Sequence, residues 1–145
     1  MSSPIKSHIL YVEDHADTCE LVCLVLTAQN YRVTARTTAE QALSTARDET
    51  FDLYLLDSWL PDGSGVELCK RLREFDVATP IVFLSGAAYE ADEFNALTNG
   101  AQRYFVKPAD LDLLCAEIAR LIENVPRPAP QLPRSLSPAD NSTAL

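Results

Sequence analysis

Four short apolar runs in this chain end on residues able to do chemistry. HILYV (8–12) is followed by Glu13 and Asp14, and LYLLD (53–57) ends in Asp57. IVFLS (81–85) ends in Ser85, and RYFVK (103–107) ends in Lys107, just before Pro108. Brought together, these would be three carboxylates, one hydroxyl and one ammonium. Close anions repel, by roughly 4 kcal/mol for two unit charges ~4 Å apart at an effective dielectric of ~20. One lysine cannot offset all of that, whereas a divalent cation can. Hard oxygen ligands point to Mg²⁺, which keeps several waters and completes its shell with a phosphate oxygen. A site with no spaced His or Cys disfavours zinc. A carboxylate held at a rigid strand end can then act as metal ligand and nucleophile, attacking phosphorus to form an acyl phosphate. Lys107 and Ser85 would neutralise charge on the transferring oxygens. Each group has an ordinary explanation by itself: a turn aspartate, a surface lysine, an acidic pair favouring a helix dipole. Four strand ends with mutually compatible groups favour the joint reading.

The elements that must position these groups are legible as alternating patterns. The runs at 8–12, 31–35, 53–57, 81–85 and 103–107 are rich in Val, Ile, Tyr and Phe and read as strands. Four are nearly continuous in apolar character, as in a parallel sheet covered on both faces. YRVTA (31–35) alternates apolar and polar residues and reads as an edge. Helical patterns occupy roughly 16–29, 38–48, 64–75, 89–99 and 110–124. Thr38 with Gln41 forms a capping box, Asp110 is a good N-cap, and Gly100 stops the fourth helix. Leu111, Leu114, Ile118, Leu121 and Ile122 make one stripe on the last helix. Five strand-then-helix units predict a doubly wound five-stranded parallel sheet with helices on both faces. Sites in such sheets form beyond the carboxyl ends of the strands.

The 145 residues suit one folded domain over 1–125. PRPAPQLPRSLSPADNSTAL (126–145) holds five of the nine prolines and reads as a disordered tail. A net charge of -9 argues against direct nucleic-acid binding and against an anionic membrane surface. No run is long enough to span a membrane, and the N-terminus lacks a signal-peptide pattern, so the expected location is cytoplasmic. Cys19, Cys23, Cys69 and Cys115 form no CxxC pair and read as small apolar residues.

With these residues in view, the chain resembles the receiver domain of two-component response regulators over about residues 6–125. The matching pieces are ILYVEDH (9–15), DLYLLDSWLPDGSG (52–65), PIVFLSG (80–86) and GAQRYFVKP (100–108). The resemblance implies a flavodoxin-like strand order, 2-1-3-4-5. It implies that Asp57 is the phospho-acceptor, loaded by a sensor histidine kinase or a histidine phosphotransfer protein. Asp14 would ligate Mg²⁺ directly, Glu13 largely through water, and the Trp59 backbone carbonyl would complete the protein set. Ser85 and Lys107 would contact the phosphoryl group, and the Lys107–Pro108 bond would be cis, as is common in the family. Ser85 and Tyr104 would form the switch that remodels the surface of the fourth helix, fifth strand and fifth helix, where a downstream protein partner would bind. The chain would then be a signalling switch in phosphorelay signal transduction, catalysing only its own phosphorylation and dephosphorylation, with no attached output domain.

This sequence departs from the commoner pattern at Glu13, usually Asp, and Ser85, usually Thr; both keep the chemistry. Trp59 is unusually large and could shield the acyl phosphate from water. Tyr54 on the third strand must find a hydroxyl partner if buried. The first helix carries six consecutive apolar residues, Leu21 to Leu26. Leu21, Val22, Val25 and Ala28 suit its core face, leaving Cys19, Cys23 and Leu24 as an outer patch for the phosphodonor or for a second copy in a homodimer. The alternative function is an aspartyl-phosphate-forming hydrolase of the haloacid-dehalogenase type. That family places its nucleophile after the first strand in a DxD pattern, unlike EDHAD (13–17) here.

Overall fold

The computed structural model describes residues 6–125; the proline-rich stretch read as a tail lies outside them. The main sheet consists of β1 (His8–Val12), β2 (Arg32–Arg36), β3 (Leu53–Leu56), β4 (Ile81–Ser85) and β5 (Arg103–Val106). All pairings in it are parallel, in the order β2-β1-β3-β4-β5, the 2-1-3-4-5 arrangement that the family resemblance implied. Five helices connect and follow the strands: α1 (Ala16–Ala28), α2 (Ala39–Asp48), α3 (Gly65–Arg73), α4 (Glu90–Thr98) and α5 (Leu111–Asn124). One element escaped the sequence reading. Trp59–Leu60 pairs antiparallel with Gly63–Ser64 in a minor hairpin between β3 and α3.

The continuous apolar runs follow from cover on both faces, because successive side chains of a strand point to opposite sides. Ile9, Tyr11, Leu53, Leu55, Val82 and Leu84 pack with Val22 and Leu26 of α1 and Leu114 and Ile118 of α5. Leu10, Val12, Tyr54, Leu56, Ile81 and Phe83 pack with Leu43 of α2, Leu68 and Leu72 of α3 and Ala96 of α4. Two helices thus cover one face and three the other. β2 sits at one edge with its residues only half-buried or exposed, as its alternation requires.

Most caps match their sequence signals. Asp110 accepts from the Asp112 and Leu113 amides at 3.0 and 3.1 Å. Gly100 takes a φ of +116°, a left-handed conformation natural to a helix stop. Thr38 Oγ1 accepts from Gln41 N at 3.1 Å, but the Gln41 carboxamide turns back to Thr37 rather than to Thr38, so the box is shifted by one residue.

The first helix needs correcting. Val22 and Leu26 are its buried residues, whereas Leu21 is 52% and Leu24 67% exposed. Cys19 and Cys23 are half-buried and pack against the core, with their sulfurs 3.9 Å apart. The buried stripe therefore runs along 19, 22, 23 and 26, rotated from the expected 21, 22, 25 and 28. With six apolar residues in a row, periodicity cannot fix the rotation; packing against β1 and α5 does. Of the three residues assigned to an outer patch, only Leu24 lies on the outside.

Tyr54, expected to need a polar partner, is 1% exposed and donates its hydroxyl to Asp76 Oδ2 at 2.7 Å. Burial pushes the Asp76 carboxyl up, but hydrogen bonds from Tyr54 and Thr79 outweigh that and hold it below its ordinary value. A carboxyl lowered in the folded state stabilises above the unfolded pKa, ~3.9, and that contribution is lost as pH falls through the folded value. Tyr54→Phe is expected to cost about 1 kcal/mol at neutral pH in urea unfolding, and the gap to the parent should narrow below about pH 4.

Candidate functional site

Asp57 follows β3 directly and is 7% exposed. Its carboxylate accepts the Ser58 backbone N–H at 2.7 Å through Oδ1, and its other oxygen lies 3.6 Å from Lys107 Nζ. Lys107 follows β5, and its own N–H bonds to the Ser85 carbonyl at 2.8 Å, which sets the end of that strand beside the end of β4. The Lys107–Pro108 peptide is cis, as the resemblance suggested.

Glu13 is almost fully buried and fully engaged. Its Oε1 accepts from Lys107 Nζ at 2.6 Å and from the Tyr11 hydroxyl at 3.2 Å, and its Oε2 accepts the His15 N–H at 3.2 Å. Burial, then the adjacent Glu13 carboxylate, raise the Tyr11 phenol, so it stays a donor. Asp14 is exposed beside it. Glu13, Asp14 and Asp57 each offer an oxygen within 4.8 Å of the others. Burial pushes the Asp57 carboxyl up, Glu13 adds to this, and the Lys107 ammonium pulls it back. A cluster of hard oxygen donors with one ammonium for three carboxylates suits a divalent cation of the magnesium type. The cleft above it measures about 410 Å³, and its walls include Trp59, Pro61 and Gly86. Trp59 stands at this cleft with its side chain 65% exposed.

Ser85 ends β4 with no exposed surface, and its hydroxyl accepts the Ala87 N–H at 3.0 Å. Tyr104 is turned inward at 8% exposure, stacked on Phe83 with ring centroids 5.6 Å apart. Its hydroxyl reaches the Ala87 carbonyl at 2.6 Å and Ser58 Oγ at 3.2 Å. The expected groups of the strand ends are thus gathered at one edge, with Ser85 beneath the surface rather than on the cleft wall.

Two positioning residues carried no recognised sequence signal. Asp62, in the minor hairpin, accepts from the Ala39 and Glu40 amides at 2.8 and 3.0 Å, tying the loop after Asp57 to the start of α2. These two bonds hold its carboxyl below the ordinary range. Aspartate in a Pro-Asp-Gly turn signals only the turn. Second, His15 rather than either acid caps α1, its Nδ1 accepting the Thr18 N–H at 3.3 Å.

Against known proteins, the model of the response regulator receiver domain matches residues 9–119. The response regulator ArlR of Staphylococcus epidermidis is 33% identical over 120 residues, covering 83% of this chain and 54% of that protein. ArlR of Staphylococcus aureus is 32% identical, again with about half its length covered, 55%. This chain therefore spans about half the length of the curated relatives it matches. Among solved structures, the non-phosphorylated HemR receiver domain of Leptospira biflexa is 31% identical at a TM-score of 0.77, covering 86% of this chain and 99% of that one. The receiver domain of a Pseudomonas aeruginosa sensor histidine kinase, with a magnesium ion coordinated in its active site cleft, is 28% identical at a TM-score of 0.77, covering 83% and 100%. Fold and site together are those of a signalling receiver. The chain belongs to the response regulator receiver family of two-component systems. The haloacid-dehalogenase alternative finds no support.

Gly65 holds the Asp57 segment in place. A Cβ there would lie 2.0 Å from the Asp57 carbonyl oxygen and 2.9 Å from the Phe83 ring, while the Gly65 N–H bonds to the Ser58 carbonyl at 2.8 Å. Gly65→Ala is expected to destabilise the domain by about 3 kcal/mol, the upper end of an overpacking penalty, measured by urea unfolding.

Proposed function

We propose that Asp57 is the phospho-acceptor of this receiver, loaded in a magnesium-dependent reaction by a sensor histidine kinase or a histidine phosphotransfer protein. One observation carries the reading: Glu13, Asp14 and Asp57 converge within 4.8 Å while a single ammonium, Lys107, stands over two of them. An Asp57 carboxylate oxygen forms the bond to phosphorus as the phosphorus–nitrogen bond of the donor phosphohistidine breaks, and the leaving imidazole takes a proton. Held by Asp14 and Asp57, by Glu13 largely through water and by the Trp59 carbonyl, the ion would neutralise charge on the phosphoryl oxygens. Lys107 supplies the fixed cation on the opposite side. Ser85 would turn toward the loaded phosphoryl group, and Tyr104, already turned inward, would be locked there, fixing the α4-β5-α5 surface offered to a downstream protein or to a second copy of the chain.

This is a switch whose chemistry is confined to its own aspartate. Phosphoryl transfer needs mainly positioning and charge neutralisation, and the cleft supplies both. Net charge and the lack of a membrane-crossing helix among the described residues support a cytoplasmic partner protein rather than nucleic acid or lipid.

Two outcomes follow. With acetyl phosphate and Mg²⁺, intact-mass analysis should show one phosphoryl adduct, removed by hydroxylamine, absent in Asp57→Asn and not formed when EDTA removes the metal. Multiple turnover of a phosphate monoester would instead indicate a hydrolase. Separately, Trp59→Ala should shorten the lifetime of the adduct several-fold by admitting water at the cleft; an unchanged decay rate removes the shielding role.

A further inference from the structure

The residue after the acceptor carries two bonds that face different ways. The Ser58 N–H donates to Asp57 Oδ1 at 2.7 Å, while its side chain meets the Tyr104 hydroxyl at 3.2 Å. Ser58 is itself buried, at 7% exposure, and its carbonyl is pinned by the Gly65 N–H at 2.8 Å. It is therefore a fixed point, set by its own backbone rather than by the tyrosine.

Proton counting gives the contact a direction. A phenol has one proton, and a carbonyl can only accept. At 2.6 Å the Tyr104 proton goes to the Ala87 carbonyl, so the Ser58 hydroxyl must be the donor to the Tyr104 oxygen. The result is an oriented chain from Ser58 through Tyr104 to Ala87. Ala87 N–H continues it to Ser85 Oγ at 3.0 Å. The aromatic ring is thus held from two sides, by the loop after β4 and by the residue covalently next to the acceptor.

We propose that Ser58 is a positioning residue for Tyr104: its hydroxyl holds the phenol inward before any phosphoryl group arrives, so the ring answers to the acceptor segment directly as well as through Ser85. This rests on reading Asp57 as the acceptor and Tyr104 as the switch. It adds a second mechanical input and a standing bias toward the inward ring. Any shift of the 57–58 backbone on loading moves the donor that pins the ring.

The test uses the whole chain labelled with 3-fluorotyrosine and read by fluorine NMR without a phosphodonor. Tyr104→Phe identifies the Tyr104 signal. In the parent, the inward signal should dominate. Loss of one hydrogen bond in Ser58→Ala should raise the outward-to-inward ratio about fivefold. Ser58→Thr, which keeps the hydroxyl, should restore the parent ratio. An unchanged ratio in Ser58→Ala overturns the proposal, as does a Thr variant that shifts as far as the Ala variant. So does movement of the buried Tyr11 and Tyr54 signals in Ser58→Ala, which would mark lost packing instead. Acetyl phosphate labelling of the parent is scored apart: if no adduct forms, the acceptor reading fails, while the Tyr104 ratio still decides whether Ser58 positions the ring.

Discussion

The constraint on which the rest depends is electrostatic. Three carboxylates offer oxygens within 4.8 Å of one another at the carboxyl edge of the sheet, with Lys107 as the near cation. Such an arrangement is costly in a partly buried cleft unless something compensates it. Lys107 spends its shortest contact, 2.6 Å, on the deeply buried Glu13 and stands farther, at 3.6 Å, from Asp57. The lysine thus balances the acid that solvent reaches least. Asp57 and Asp14, more open, are left with the unbalanced charge, on the side where an ion or a phosphoryl group can arrive. The scaffold serves this arrangement. A sheet covered on both faces fixes the strand ends, and Gly65 lets α3 begin hard against the Asp57 backbone.

Much of this was readable from residue types. Strand existence, the convergence of Glu13, Asp14, Asp57 and Lys107, the cap at Asp110 and a polar partner for Tyr54 all follow from residue patterns, while the strand order came from the family resemblance. The rotation of α1 did not, because an uninterrupted apolar run carries no periodicity; the neighbouring β1 and α5 choose which side is buried. The minor hairpin at 59–64 was hidden by its length, two residues per strand. Asp62 illustrates another limit: its turn signal is local, whereas its role, capping α2, depends on a helix more than twenty residues earlier in the chain. Ser58 was silent for a similar reason, since a serine beside Asp57 says nothing of a tyrosine on another strand.

These long-range ties share a direction. Asp62 links the loop after Asp57 to α2, and Ser58 links it to β5 and the start of the α4 segment through Tyr104 and Ala87. Among the described residues every buried side-chain nitrogen and oxygen has a partner. A polar network satisfied throughout is stiff, and breaking one bond leaves a group that must find another. A disturbance at Asp57 therefore has few ways to dissipate locally.

Glu13 gives this network its asymmetry. Three donors already grip it, from a lysine, a tyrosine and a main-chain amide, so the end of β1, tied by Lys107 across β3 and β4 to the end of β5, behaves as an abutment. The loop after β4 is held through hydroxyls instead, the Ala87 N–H on Ser85 Oγ and the Ala87 carbonyl on the Tyr104 phenol. A load arriving at the cleft displaces the side that can yield, which makes the β4–α4 loop the arm of a lever whose fulcrum is the braced Glu13.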